Sequence, residues 1–133
     1  MKPVLLLTLI ALCLSSCKKS ETISPGLFGS WELRSIVGGI AGIDSTYKAG
    51  NGKVFQFKSD STYVQKDKNK VLAQGTFYIR IPNLYSTNSA KPVVEIYFNN
   101  NASGDLFILN GTSLTIGQDY DDGFASAYEK IGN

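Results

Sequence analysis

From Phe28 onward, apolar and polar residues alternate with a period of two, in short runs separated by glycine, proline, asparagine, aspartate and serine. This pattern constrains the fold more than any other feature. No segment beyond residue 17 sustains the 3.6-residue period of a helix. The apolar side chains can therefore share a face only if the backbone is extended. Trp31, Leu33 and Val37 alternate with Glu32 and Arg34, and Phe55 and Phe57 share a face. Residues 62–66 form a short strand after the turn at 59–61, and residues 71–81 form the longest, with Phe77, Ile79 and Ile81 together on one side. Gly75 inside that run predicts a bend or bulge. Residues 93–98 turn Val94, Ile96 and Phe98 inward. Residues 106–109 and 113–116 flank Asn110-Gly111-Thr112, a tight-hairpin signal, and residues 124–131 form the last strand. Residues 38–52 are rich in glycine, lack any period and read as a long loop over one end.

Short strands joined by local turns predict an all-β antiparallel meander of about eight strands. An open meander of this length would leave two unpaired edges, so an up-and-down barrel is expected, with no helix after the last strand. A β-sandwich would need crossing connections that sequential hairpins do not supply. The interior should hold Phe55, Phe57, Phe77, Ile79, Ile81, Val94, Ile96, Phe98, Leu106, Ile108, Leu114 and Ile116 around the single tryptophan, Trp31. An eight-stranded barrel has a lumen that side chains just fill or that holds one small ligand. The weight of large residues predicts a filled half around Trp31 and a shallow pocket at the mouth.

The first residues differ in kind. Lys2 precedes an apolar run over 4–14, too short to span a membrane as a mature helix, and the run ends in Leu14-Ser15-Ser16-Cys17. This tetrapeptide resembles the lipobox of bacterial lipoproteins. The resemblance implies a signal peptide over 1–16, diacylglyceryl and palmitate chains on Cys17, and a membrane anchor through that lipid. Residues 17–26 then form a polar tether ending in Pro25-Gly26, and 27–133 the domain. With Cys13 removed and Cys17 acylated, no thiol is left for a disulfide. Some lineages use an acidic run after the cysteine to send lipoproteins to the cell surface. Lys18-Lys19-Ser20-Glu21 is not such a run, so the expected address is the outer membrane, facing the periplasm.

A second resemblance lies in the domain. Gly29-Ser30-Trp31 at the start of the first strand resembles the Gly-x-Trp signature of lipocalins. Gly75-Thr76-Phe77-Tyr78-Ile79 and Tyr128-Glu129-Lys130-Ile131 are similar to segments of small lipocalin-like lipoproteins of bacteria. It implies the same eight-stranded barrel, and a small hydrophobic ligand held by Phe55, Phe57, Tyr63, Phe77, Ile79, Ile96 and Phe98. In that family an arginine near the end packs on the tryptophan; here Lys130 is the nearest basic residue. First and last strands should pair, bringing Lys130 onto Trp31.

Composition narrows the chemistry. Charged residues are 18% of the chain and the formal net charge is +2, with no basic stripe, so no nucleic-acid partner is expected. Histidine is absent. That removes the usual general base, the commonest metal ligand and every Ser-His or Cys-His nucleophile. Inward positions are almost all apolar, so no carboxylate pair is placed for acid-base work and no enzyme is expected. Asp119, Asp121 and Asp122 read as a solvated turn rather than a calcium loop. No metal or cofactor is expected, and a monomer is. Two functions fit: a tethered barrel that binds a small apolar molecule, or an envelope structural or interaction protein with a filled barrel. In the second, loops and exposed tyrosines such as Tyr47, Tyr85, Tyr97 and Tyr120 would meet protein or glycan.

Overall fold

The sheet closes on its first strand, β1 (Gly29–Gly38), which pairs with three others. The computed structural model describes residues 25–81, 94–118 and 122–133. The signal peptide, Cys17 and the tether up to residue 24 lie outside these, as do Tyr85, Asp119, Tyr120 and Asp121. A 3₁₀ turn, Pro25–Leu27, leads into β1. There follow β2 (Ile43–Thr46), β3 (Lys53–Phe57), β4 (Thr62–Asp67), β5 (Lys70–Arg80), β6 (Glu95–Phe98), β7 (Asp105–Asn110), β8 (Ser113–Gly117) and β9 (Phe124–Gly132). From β3 to β9 each strand is antiparallel to its sequence neighbour. β1 sits between β3 and β9 and closes an eight-stranded barrel. Among the described residues there is no α-helix.

β2 is the extra strand. It pairs with the second half of β1, from Ser35↔Thr46 to Gly38↔Ile43, inside the segment expected to be a loop. Three of its four side chains are exposed, so no alternation of apolar and polar residues marks it in the sequence. A tight turn, Gly42 N–H to the Gly39 carbonyl at 2.8 Å, reverses the chain between the two strands.

The ladders have three register shifts; one leaves Ile131 unopposed at the start of the seam, and the other two bear on the opposite end of the barrel. In the β1–β9 ladder Leu33 pairs with Tyr128 and Ser35 with Ala127, so Arg34 has no opposite residue. The extra residue flips the alternation beyond it. Ile36 therefore packs on the core, and Val37, expected inward, is exposed. In the β4–β5 ladder Gln65 pairs with Ala73 and Lys66 with Val71, leaving Leu72 unopposed. The expected irregularity is thus at Leu72 and not at Gly75. Gly75 has no side chain because the Asn99 amide occupies the space a Cβ would need. Asn99 Oδ1 accepts the Thr76 N–H at 3.1 Å and its Nδ2 donates to the Tyr63 hydroxyl at 3.0 Å.

The interior is aromatic. Phe55 and Phe57 stack at 4.5 Å, Tyr63 meets Phe98 edge-on at 4.9 Å, and Phe57 meets Phe77 edge-on at 5.0 Å. Such pairs contribute roughly 0.5–1.5 kcal/mol each beyond the area they bury. Of the twelve side chains expected inside, nine are buried or packed on the core, and three are not. Ile81 is 53% exposed because β5 ends at Arg80, where the ladder to β6 also ends. On β7 the inward residues are Phe107 and Leu109, opposite Ile116 and Leu114. Ile108 is 51% exposed and Leu106 only half-buried. Leu106-Phe107-Ile108-Leu109 is apolar throughout, so the sequence carried no period by which to choose the face.

The expectation of exposed tyrosines also changes. Tyr97 is on the outer face but 8% exposed. It stacks on Tyr78 at 4.7 Å, is covered by Gly104, and its hydroxyl donates to Glu95 at 2.6 Å. Tyr47 is half-buried and packs on the core.

Candidate functional site

The two ends of the barrel are built differently. At the end where β1 begins, Leu27 and Trp31 are fully buried, and the Trp31 indole N–H donates to the Leu27 carbonyl at 2.7 Å. Lys130, paired with Trp31 across the closing seam, holds its Nζ 5.5 Å from the ring centroid and donates to the Gly26 carbonyl at 3.0 Å. The lysine thus ties the entering turn to the plug. Gly29 has φ +125°, and a Cβ there would run into the Gly132 carbonyl, so both conformation and space require glycine. Gly29, Trp31 and Lys130 come together as one closure.

The opposite end, where β3 starts and β4 ends, holds a cavity of about 170 Å³. Leu33, Ile36, Val54 and Leu72 give it apolar walls, with Tyr47 and Tyr128; Lys53, Gln65 and Lys66 are its polar members. The bulges explain part of this set. In the unbroken β3–β4 ladder the consecutive residues Lys53 and Val54, and Gln65 and Lys66, meet the cavity at its rim, and Leu72, the extra residue of β5, lines it. Leu33 and Ile36 do so across the flip at Arg34. Lys53 Nζ donates to Asp67 Oδ2 at 2.6 Å, and this bond raises the lysine pKa. The amine also lies 5.9 Å from the Tyr47 ring centroid. Burial raises the Tyr128 phenol, keeping it neutral.

Residues 47–52, which carry Tyr47 to the cavity, are fastened to β1. Glu32 is buried on the outer face, and its carboxylate accepts the Gly50 N–H at 2.9 Å and the Gly52 N–H at 3.0 Å. Arg34, the bulged residue, bridges Glu32 at 2.6 Å and Glu129 at 2.8 Å. Asn51 Nδ2 donates to the Leu33 carbonyl at 2.9 Å. The Arg34 hydrogen bond, aided by the two backbone N–H groups and outweighing burial, lowers the Glu32 pKa to about 2. This segment, the second part of the loop expected over 38–52, is a strap pinned by a buried carboxylate.

The seven residues implied as ligand contacts are gathered in one interior: Phe55, Phe57, Tyr63, Phe77, Ile79, Ile96 and Phe98 all pack in the core. None of them lines the cavity. The lining set was missed by reading only the apolar positions of each strand. Lys53 and Gln65 keep the inward parity of Phe55 and Tyr63 and could have been found by extending each strand outward by two residues. Ile36 and Leu72 depend on bulges that leave no mark in the sequence, and Lys66 reaches the rim from the outward parity of β4. Among the described residues no three acidic, cysteine or histidine side chains gather to hold a metal ion, and no helix is long and apolar enough to cross a membrane. The arrangement offers burial, two cationic amines and hydrogen-bond donors. No family model matches this chain, nor does any curated protein or solved structure with which it was compared.

Proposed function

We propose that this chain is a non-catalytic, lipid-anchored protein of the bacterial cell envelope whose barrel receives a small apolar molecule at its open end. The cavity over Leu33, Ile36 and Leu72 carries the ligand half of this reading. It is comparable in size to a dry apolar cavity of about 150 Å³ that takes up benzene. The lipobox resemblance at Cys17 supports the anchor, and the residues that follow it support the periplasmic face of the outer membrane. An apolar fluorescent probe such as a short-tailed fatty-acid analogue, titrated against the chain, tests the first half; a signal that never saturates refutes it. Labelling with radioactive palmitate tests the second. Label should appear on the chain and vanish in Cys17→Ser, and undiminished labelling of that variant refutes the anchor.

A second reading has an observation of its own. At the tip of the β1–β2 hairpin Ile40 is 92% exposed, and Val37, Ile43 and Phe124 beside it are also exposed. Such a patch suits an envelope interaction protein that meets its partner through this tip. Loss of a cross-link to a neighbouring envelope protein in Ile40→Ser, with probe binding intact, favours it.

A further inference from the structure

We infer that the molecule taken by the open-end cavity is a small monocarboxylate whose apolar part is about six carbons, its carboxylate held by Lys66 and Lys53. This deepens the binding reading above and rests on it. The argument starts from charge. Of the nine lining residues two are lysines and none is acidic. Lys53 has a partner, Asp67, which does not line the cavity. Among the described residues no carboxylate lies within ion-pair distance of Lys66. A cation on the wall of an apolar recess, with no anion of its own on that wall, favours a ligand that brings one. The Gln65 amide adds neutral donors beside it, and a carboxylate has lone pairs for several donors at once.

The same wall argues against a cationic ligand and against a neutral hydrocarbon. A cation would face Lys66 and meet no acidic residue on the wall. A hydrocarbon filling the recess would strip water from the amines and return no hydrogen bond.

Size follows from volume. About 170 Å³ is a ring or a chain of about six carbons, and the lining Tyr128 meets Phe55 edge-on at 5.9 Å, where Phe55, Phe57, Tyr63 and Phe98 pack ring on ring. Methylenes beyond about the sixth would protrude into water.

The experiment is a calorimetric titration of the full chain, held in nanodiscs with unloaded nanodiscs as blank, against hexanoate, phenylacetate, 1-hexanol and decanoate at pH 7. Hexanoate and phenylacetate should bind roughly tenfold more tightly than 1-hexanol at low salt, the advantage shrinking as salt is raised. From hexanoate to decanoate affinity should stay nearly level instead of climbing by roughly fourfold per methylene. Lys66→Gln should weaken hexanoate several-fold and leave 1-hexanol unchanged, with Lys66→Arg restoring the acid. Equal affinity for 1-hexanol and hexanoate, or an unaffected Lys66→Gln, overturns the carboxylate inference while the cavity reading stands. A steady climb through decanoate overturns the size limit. No binding of any of the four overturns this inference and the cavity reading together.

Discussion

Lys130 lies across the indole of Trp31, its Nζ 5.5 Å from the ring centroid, and spends its hydrogen bond on the Gly26 carbonyl. One side chain therefore joins the last strand, the first strand and the turn that precedes it. Lys130→Met should keep much of the packing over the ring and lose both the charge and the donor. Each is a contribution of roughly 0.5–1 kcal/mol at a partly exposed site, so urea unfolding should show a loss of about 1–2 kcal/mol. Lys130→Arg should recover most of it. A variant as stable as the parent would show that the contact is incidental.

The β7 assignment is open to a direct comparison. Phe107→Ala removes a buried ring and should cost about 3–5 kcal/mol. Ile108→Ser, next to it and half-exposed, should stay within roughly 0.5 kcal/mol. Denaturant midpoints in the reverse order would place the strand one residue out of register.

Glu32 gives the fold an acid limit. Its folded pKa, about 2, lies below the ordinary 4.5, so the unfolded chain takes up the proton first. The stabilisation is complete above about pH 4.5 and is lost as pH falls towards 2. The shift corresponds to at most about 3 kcal/mol. Glu32→Gln should flatten that part of the stability–pH curve. It should also speed hydrogen exchange at Gly50 and Gly52, whose N–H groups the carboxylate accepts. Unchanged exchange at both glycines would mean that the strap is held by something else.

Gly75→Ala should be damaging although the backbone there is ordinary, because the new methyl meets the Asn99 amide. A double substitution, Gly75→Ala with Asn99→Ala, should recover part of the loss by clearing the space, at the cost of the bonds to Thr76 and Tyr63. Non-additivity of the two changes in a double-mutant cycle is the expected result.

The architecture was legible because it is written in alternation. Phe55, Phe57, Phe77 and Ile96 stand at period-two positions and are inside, and of the eight strands that could be located all but β7 were marked by runs of that kind. What could not be read is where the period breaks. A bulge adds a residue without changing residue type, so the flip at Arg34 that exchanges Val37 for Ile36 is invisible until the partner strand is in place. β7 failed for the opposite reason, since all four of its apolar residues could face inward. The cavity was hidden by both effects. Its lining comes from strand ends, bulges and the strap, where polar residues such as Lys53 and Gln65 sit at inward positions. That end of the molecule is assembled by register and not by hydropathy.

The seam between β1 and β9 also governs when the molecule can form. It joins residues a hundred positions apart, Ser30 to Gly132 and Trp31 to Lys130. The hairpins between β3 and β9 are local and can assemble as the chain emerges. The ring cannot shut until its final residues are present, and loop closure over such a separation is slow. Until then Trp31 lacks its seam partner, and both bordering strands offer free edges to other chains. Closure of the barrel is thus a late event that depends on β9. A chain shortened by even its last strand should remain open and prone to aggregation, however intact its other hairpins.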